Sequence, residues 1–178
     1  EFRRVLFRSA NREQVARLLA TKADVNQPLP DGSTALAWAV HHDDAQLVSQ
    51  LIRAGADVNA ANEYGVGPLI LACENANAAI VASLLKAGAK PSLAKWTGET
   101  PLLTCARTGN TAAVSALLDA GADVNAREKQ RGQTALMWAV AARHSEVAKL
   151  LISRGADVNA TSRLMEAHTP KMLEYYLA

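Results

Sequence analysis

The stretch AGADVNA at residues 54–60 occurs again, letter for letter, at residues 120–126. Residues 155–160 repeat all but its first letter, and residues 87–93 keep its opening AGA before continuing as KPSL. The glycine of each copy follows the previous one after 33 or 34 residues: Gly55, Gly88, Gly121 and Gly155. A phrase that returns at a fixed interval of this length is typical of a repeat architecture.

Two other phrases recur in step with the first. One reads G-x-T-[A/P]-L and begins at Gly32, Gly98 and Gly132, with an altered copy at Gly65. The other reads V-x-x-L-[L/I], and its valines are Val15, Val48, Val81, Val114 and Val147. Because three phrases keep one register, chance is an unsatisfactory explanation for any of them.

Residues 98–126 show what each phrase does physically. The Thr100 hydroxyl can accept hydrogen bonds from the free amides of a new helix, and Pro101 suits its first position. We expect that helix to end near Gly109 and a second helix to end before Gly121, because glycine readily adopts the left-handed conformation that follows helices. Each repeat is therefore predicted to contain two short helices.

The residues after Gly121 predict a tight turn followed by an extended loop. Asp123 and Asn125 can bind neighbouring amides, and Val124 between them can fold back on the helix end. The chain then extends to Gly132, which predicts a hairpin-like loop between one helix pair and the next.

The three phrases at a spacing of 33 resemble the ankyrin repeat. The resemblance extends over residues 10–160, and GQTALMWAV at residues 132–140 is similar to bacterial ankyrin arrays. It implies an all-α solenoid of helix-turn-helix-loop units stacked side by side, with loops that project like fingers over a concave face. About four complete repeats are expected, flanked by partial ones.

The expected ankyrin domain covers residues 10–163. Its repeats are residues 10–27, which hold only a second helix and have Lys22 in place of the glycine, then 28–60, 61–93, 94–126 and 127–160. Residues 164–178 are interpreted as a C-terminal cap or as a truncated further repeat that opens at His168, Thr169 and Pro170. The truncated repeat is the favoured interpretation, which makes the chain a fragment.

Residues 1–9, EFRRVLFRS, fit none of the three phrases. They resemble a cloning linker or adapter read through into protein, and a genuine basic N-terminal segment is the alternative. Their three arginines and one glutamate account for the whole formal charge of +2, so the remainder carries 16 basic and 16 acidic side chains. A neutral array argues against nucleic-acid binding, which favours a basic stripe.

Two departures from the pattern have structural consequences. In residues 61–93, Gly67 replaces the helix-starting threonine, which predicts a weaker cap. Lys90, Pro91 and Ser92 replace Asp, Val and Asn in the same repeat, which predicts an unusual turn. The loop at residues 127–132 carries one extra residue, which we place at the tip of a finger.

The sequence offers little for metal binding or catalysis. His41, His42, Asp43 and Asp44 are adjacent at the end of a first helix, where a solvated turn is the better interpretation than a metal site. No nucleophile elbow, cysteine–histidine pairing or phosphate-binding loop is present in the sequence. We expect no enzyme activity and no cofactor.

Cys73 and Cys105 are the only cysteines. Disulfide frameworks contain more cysteines in shorter chains, and zinc sites show paired spacings. We therefore expect two free, buried thiols, which favours a reducing compartment such as the cytoplasm. The sequence contains no apolar run long enough to span a membrane and no legible signal peptide.

The aromatic residues divide into two groups. Trp38 and Trp138 occupy the same position of the first helix in their repeats, which indicates packing between helices. Trp96 lies in a finger loop two residues before Gly98, and Tyr64 holds the neighbouring position one repeat earlier. Exposed aromatic side chains on a rigid scaffold are common anchors for partner proteins, with packing inside the loop as the alternative.

The resemblance implies a monomeric protein-interaction scaffold that binds another protein or peptide on its concave face and loop tips, without nucleic acid or membrane. The residues expected to contact the partner lie on the fingers and at the exposed ends of first helices: Tyr64, Trp96, Glu63, Lys95, Lys129, Gln130, Arg131, His41, Glu74 and Arg107, with Pro30, Asp31 and Asn62 beside them. One alternative is an accessory array of a larger, truncated enzyme or exported protein. A purely structural spacer is another.

Overall fold

The computed structural model describes residues 24–30 and 32–163. Three groups of expectations lie outside these residues. They concern the linker-like residues 1–9 and the first partial repeat up to Lys22, the finger residue Asp31, and the cap or further repeat at residues 164–178.

Eight α-helices occur in the described residues, and they form four consecutive pairs. The first helices of the pairs are α1 (Ala35–His41), α3 (Pro68–Glu74), α5 (Pro101–Thr108) and α7 (Ala135–Ala141). The second helices are α2 (Ala45–Arg53), α4 (Ala78–Lys86), α6 (Thr111–Asp119) and α8 (Ser145–Ser153). Within the described ranges, pairing between extended segments is limited to one isolated antiparallel bridge, which joins Arg127 to Thr134. The all-α prediction is confirmed.

The helices pack in the order in which they occur along the chain. Each first helix packs against the first helix of the following pair, and each second helix packs against the next second helix. Each helix also packs against its partner within the pair. The core is thus a continuous row of small and aliphatic side chains shared between neighbouring layers, which is the expected solenoid.

Threonine caps begin three of the four first helices. The Thr34, Thr100 and Thr134 hydroxyls each accept a hydrogen bond from the backbone amide three residues later. Gly67 begins α3 without any side-chain cap, so the weaker cap predicted for this repeat is confirmed.

The recurrent glycines end the second helices in a left-handed conformation. Gly55, Gly88, Gly121 and Gly155 have φ between +85° and +93°. A Cβ added at any of the four would find no atom within 4 Å, so space does not require glycine there. The left-handed φ itself is the reason, because it is costly for a residue with a Cβ.

The asparagine of the ADVN phrase joins one repeat to the next. Its side-chain amide donates to the carbonyl of the next terminating glycine and accepts from the backbone amide two residues beyond it. These bridges run from Asn26 to Gly55 and Asp57, from Asn59 to Gly88 and Lys90, and from Asn125 to Gly155 and Asp157. Ser92 occupies the corresponding position between repeats 61–93 and 94–126, and it forms no such bridge.

The prediction of two free thiols is wrong, because Cys73 and Cys105 form a disulfide. Cys73 lies on α3 and Cys105 on α5, and both side chains are fully buried. The two cysteines are 32 residues apart in sequence, so local spacing does not predict the bond. Stacking brings the same faces of successive first helices together and places the two Cα atoms 4.6 Å apart. That distance lies within the usual range for a disulfide. The argument for a reducing compartment therefore loses its basis.

The unusual turn predicted at Lys90, Pro91 and Ser92 is wrong. The Leu93 amide donates to the Lys90 carbonyl at 3.2 Å, just as the Ala60 amide donates to the Asp57 carbonyl at 3.3 Å one repeat earlier.

The interpretations of the two helical tryptophans and of the histidine–aspartate run agree with the fold. Trp38 and Trp138 are partly buried and pack against the core, as predicted. His41 is exposed at the end of α1, and His42 and Asp43 are exposed in the turn that follows it. The Asp44 carboxylate caps α2 by accepting from the Leu47 amide. No helix in the described ranges is both long and apolar enough to cross a membrane.

Candidate functional site

The loops between helix pairs form narrow fingers closed by backbone hydrogen bonds. The fingers are numbered by the repeat that they begin, with the repeat of residues 28–60 as the first. In finger 2 (residues 62–66), the Asn62 backbone amide donates to the Val66 carbonyl at 3.2 Å. The Lys95 amide donates to the Glu99 carbonyl at 2.9 Å in finger 3 (residues 95–99). Finger 4 (residues 128–133) is closed in the same way from Glu128 to Gln133 at 3.1 Å. The expected hairpin-like loops are therefore present.

Backbone hydrogen bonds also join each finger to the next one. The Trp96 amide donates to the Tyr64 carbonyl at 3.1 Å, and the Lys129 amide donates to the Thr97 carbonyl at 2.8 Å. The Arg163 amide continues the series by donating to the Arg131 carbonyl at 2.6 Å. We call the continuous surface formed by residues 62–65, 95–98, 128–132 and 163 the fingertip edge.

Gly65 permits the close approach of finger 3 to finger 2. A Cβ at Gly65 would lie 3.0 to 3.1 Å from backbone atoms of Ala94, Lys95 and Trp96, and its φ is +77°. A side chain at this position would therefore separate finger 2 from finger 3.

Two exposed aromatic side chains lie next to each other on the fingertip edge. Tyr64 is 60% exposed and Trp96 is 65% exposed, and their backbones are hydrogen-bonded directly. Packing inside the loops, the alternative interpretation, does not hide either ring. Such side chains lose much apolar surface when another molecule covers them, which is the usual property of binding anchors.

Lys95 precedes Trp96 but has a different environment. Its ammonium group lies 2.8 Å from Glu74 Oε1 and 3.1 Å from Glu99 Oε2, and its side chain is only 15% exposed. Thr104 donates its hydroxyl proton to Glu99 Oε1 at 2.9 Å. We call Glu74, Lys95, Glu99 and Thr104 the Lys95 clamp, which ties finger 3 to the ends of α3 and α5.

The clamp stabilises the charged form of Lys95. Burial alone would lower the pKa of the Lys95 ammonium, but hydrogen bonds and charge attraction from Glu74 and Glu99 outweigh it and raise that pKa above 10.5. Its charge is thus already compensated within the protein, which leaves little for a partner to bind.

Finger 4 accommodates its extra residue around a buried carboxylate. Glu128 accepts hydrogen bonds from the backbone amides of Gln130, Arg131 and Gln133 at 2.7, 2.7 and 3.0 Å. Burial acts to raise the pKa of Glu128, but the three backbone hydrogen bonds and the charge of Arg131 outweigh burial and lower that pKa below 4.5. The extra residue is at the finger tip, as predicted, and Lys129, Gln130 and Arg131 are exposed there.

The three helix-end residues differ in accessibility. His41 is exposed beside a groove of about 230 Å³ lined by Trp38, Asn62 and Leu71. Glu74 belongs to the Lys95 clamp. The Arg107 guanidinium lies 5.8 Å from the centre of the Trp138 ring, within the range of a cation–π contact.

The structure brings most of the predicted contact residues onto one edge. Glu63, Tyr64, Trp96, Lys129, Gln130 and Arg131 are exposed on the fingertip edge, and Asn62 and Pro30 lie on the fingers. Lys95 and Glu74 are drawn into the clamp instead. His41 and Arg107 lie on the first helices, away from the tips.

Sequence reasoning missed Arg127 and Arg163. Arg127 Nη1 donates to the carbonyls of Gly132 at 3.0 Å and Thr161 at 2.7 Å, and both arginines lie at or beside finger 4. The repeat interval could have found Arg163, because it follows Arg131 at the same 32-residue offset that separates Trp96 from Tyr64.

Nothing in the described ranges forms a group of three or more His, Cys, Asp or Glu side chains that could hold a metal ion. The exposed side chains of the fingertip edge are two aromatic rings, the cations of Lys129, Arg131 and Arg163, and the polar groups of Glu63 and Gln130.

Comparison with protein families agrees with this geometry. A family model for ankyrin repeats, which describes three copies, matches residues 6–95 and 91–162. The chain belongs to the ankyrin repeat family. No curated protein matches the sequence. Ankyrin repeats are generally protein–protein interaction modules, and the fold is typically non-catalytic.

Proposed function

We propose that this ankyrin array is a non-catalytic scaffold that binds a partner protein or peptide across its fingertip edge, with Tyr64 and Trp96 as the principal anchors. The observation that carries the proposal is the exposure of the Tyr64 and Trp96 side chains, whose backbones are hydrogen-bonded to each other across two fingers. A rigid backbone limits the conformational entropy lost when a partner covers the rings, which favours binding.

The clamp and the finger hydrogen bonds support this role. Trp96 is held from both sides, since its amide is bonded to finger 2 and the preceding Lys95 is bonded to α3 and to Glu99. The scaffold thus fixes the position of the indole while leaving its surface free. Glu63, Lys129, Gln130 and Arg131 surround the pair as polar groups that orient a partner.

The test compares two matched double variants as baits in affinity purification. Y64A/W96A removes the two exposed rings, whereas V140A/V158A removes two equally exposed apolar side chains that lie away from the fingertip edge. Partners recovered by the wild type are identified by mass spectrometry, and each purified partner is then titrated against all three proteins.

We expect Y64A/W96A to weaken binding by about tenfold or more, which is usual for paired aromatic anchors, with the circular-dichroism melting curve preserved. V140A/V158A should bind like the wild type. Equal affinity of Y64A/W96A and the wild type for every recovered partner would contradict the proposal.

A further inference from the structure

The fingertip edge changes its charge from one end to the other. Glu63 is exposed next to Tyr64 at one end. Beyond Trp96, the exposed side chains of Lys129, Arg131 and Arg163 follow on consecutive fingers. We call these three cations the basic row.

The basic row carries three positive charges and has few acidic neighbours among the described residues. Within residues 24–30 and 32–163, none of the three forms an ion pair. Glu128 is the one acid on finger 4, and it is buried and bound by three backbone amides, although its charge also attracts Arg131. The row therefore keeps a positive excess, in contrast to Lys95, whose charge is balanced by two carboxylates.

Finger packing places these cations beside the aromatic pair. A Cβ at Gly98 would lie 2.8 Å from Lys129 Cγ, so the Lys129 stem covers the tip of the finger that carries Trp96. A Cβ at Gly132 would likewise lie 3.7 Å from Arg163 Cγ. The basic row and the rings therefore belong to one contiguous surface.

We propose that the partner presents a short acidic segment next to an apolar or aromatic side chain. The apolar side chain packs against Tyr64 and Trp96, and the carboxylates bind the basic row. Guanidinium groups bind carboxylates through paired, charge-assisted hydrogen bonds, which gives this end of the edge its specificity. The inference rests on the proposed function and names the chemistry of the ligand for that same edge.

An acidic peptide fits the edge better than a nucleic acid. A phosphate backbone that crossed the rings would carry its charge past Glu63, and the repulsion would oppose binding at that end. An acidic segment confined to one side of its apolar anchor avoids Glu63 and contacts cations alone.

The test begins with a random peptide library displayed on phage and selected on the wild-type protein, with prior depletion on Y64A/W96A. Enriched peptides are synthesised and titrated against three proteins by calorimetry. K129E/R131E/R163E reverses the basic row, and R53E/K86E/K90E makes the same charge change at exposed positions on or after second helices, away from the edge. Melting curves confirm that each variant is folded.

We expect the enriched peptides to carry Asp or Glu on one side of an aromatic or aliphatic residue. Reversal of the basic row should weaken their binding by about tenfold or more, and the wild-type affinity should fall as salt rises. R53E/K86E/K90E should bind like the wild type.

The contradicting outcomes separate this inference from the proposed function. Peptides without acidic residues, or an affinity unchanged by K129E/R131E/R163E, would overturn the inference and leave the aromatic site intact. Tighter binding of a labelled single-stranded DNA than of any enriched peptide would overturn it in favour of nucleic acid. Failure to enrich any peptide relative to Y64A/W96A would contradict both.

Discussion

The junction between repeats 61–93 and 94–126 is held together differently from the junctions on either side of it. On both sides, an asparagine at the end of one repeat, Asn59 or Asn125, is hydrogen-bonded to the backbone of the next. The middle junction has Ser92 at that position and lacks the bridge. It contains instead the Cys73–Cys105 disulfide and the Lys95 clamp.

The two kinds of link between repeats lie at different places within each repeat. The asparagine bridges join the turns that follow second helices, whereas the disulfide and the clamp join first helices and a finger. Tyr64 and Trp96 belong to the two repeats that the disulfide connects. The disulfide and the clamp thus lie at the junction between the two repeats that carry the exposed aromatic pair.

Removal of the disulfide should have the largest effect on stability. The bond closes a 32-residue separation, and the chain-entropy model then assigns it about 3 to 4 kcal/mol. We expect C73A/C105A, and the wild type in reductant, to lose about that much free energy of unfolding in urea titrations. Reductant should not affect C73A/C105A. Identical unfolding of the wild type with and without reductant would show that no bond joins the repeats.

Loss of the Lys95 clamp should come next. K95A leaves Glu74 and Glu99 without their shared cation. We expect the free energy of unfolding to fall by about 1 to 2 kcal/mol, because the Lys95 side chain is only 15% exposed. K149A breaks a similar but exposed pair with Glu146 and should cause no measurable change. If K95A and K149A changed the free energy of unfolding equally in urea titrations, the Lys95 clamp would contribute no more than an exposed ion pair.

The stability difference between the wild type and K95A should depend on pH in a defined direction. The pKa of Lys95 is raised in the folded state, so the clamp contributes fully below pH 10.5 and its contribution disappears as the pH rises through the folded-state value. The stability difference between the wild type and K95A should therefore be constant around neutral pH and narrow above pH 10.5.

The asparagine bridges can be compared directly with the serine that replaces one of them. N59A removes two hydrogen bonds to the next repeat, and we expect a loss of about 1 to 2 kcal/mol. S92A removes no such bond and should leave the free energy of unfolding unchanged. A similar loss for both variants would mean that the bridge does not distinguish the junctions.

The smallest expected effect is a gain at the start of α3. Gly67 has a φ of −103°, and a Cβ there would make only ordinary contacts at 3.6 to 3.8 Å. G67T should therefore restore the missing helix cap and stabilise the protein by about 0.5 kcal/mol, measured by thermal unfolding. G55A is the matched opposite, because its φ of +85° should make the substitution destabilising.

The repeat pattern was sufficient to predict the fold. Thr100, Pro101 and Gly121 each specify a local backbone conformation, and their recurrence at one interval specifies the stacking. The loop positions of Tyr64 and Trp96 left exposure and packing inside the loop as alternatives, and the structure shows exposure. The helix boundaries and the stacking depend on residues that are close in sequence or on the repeat interval, and both can be read from the sequence.

The remaining features depend on distances across a junction. The Cys73–Cys105 bond requires two helices to approach at positions one register step apart, and local spacing argues against it. Lys95 was predicted to face a partner, but Glu74 at the end of α3 and Glu99 in the same finger lie within reach of its ammonium group. The sequence therefore does not show whether the charge of a finger residue is available to a partner, because side chains of the neighbouring repeat can pair with it.

Amide hydrogen exchange at two finger junctions tests most directly whether the middle junction holds the aromatic pair rigid. The Trp96 amide is bonded across the cross-linked junction, and the Lys129 amide is bonded across the next one, which has no disulfide. We predict that reduction of the wild type accelerates exchange at Trp96 more than at Lys129. Equal acceleration at both amides, or none at Trp96, would contradict the account.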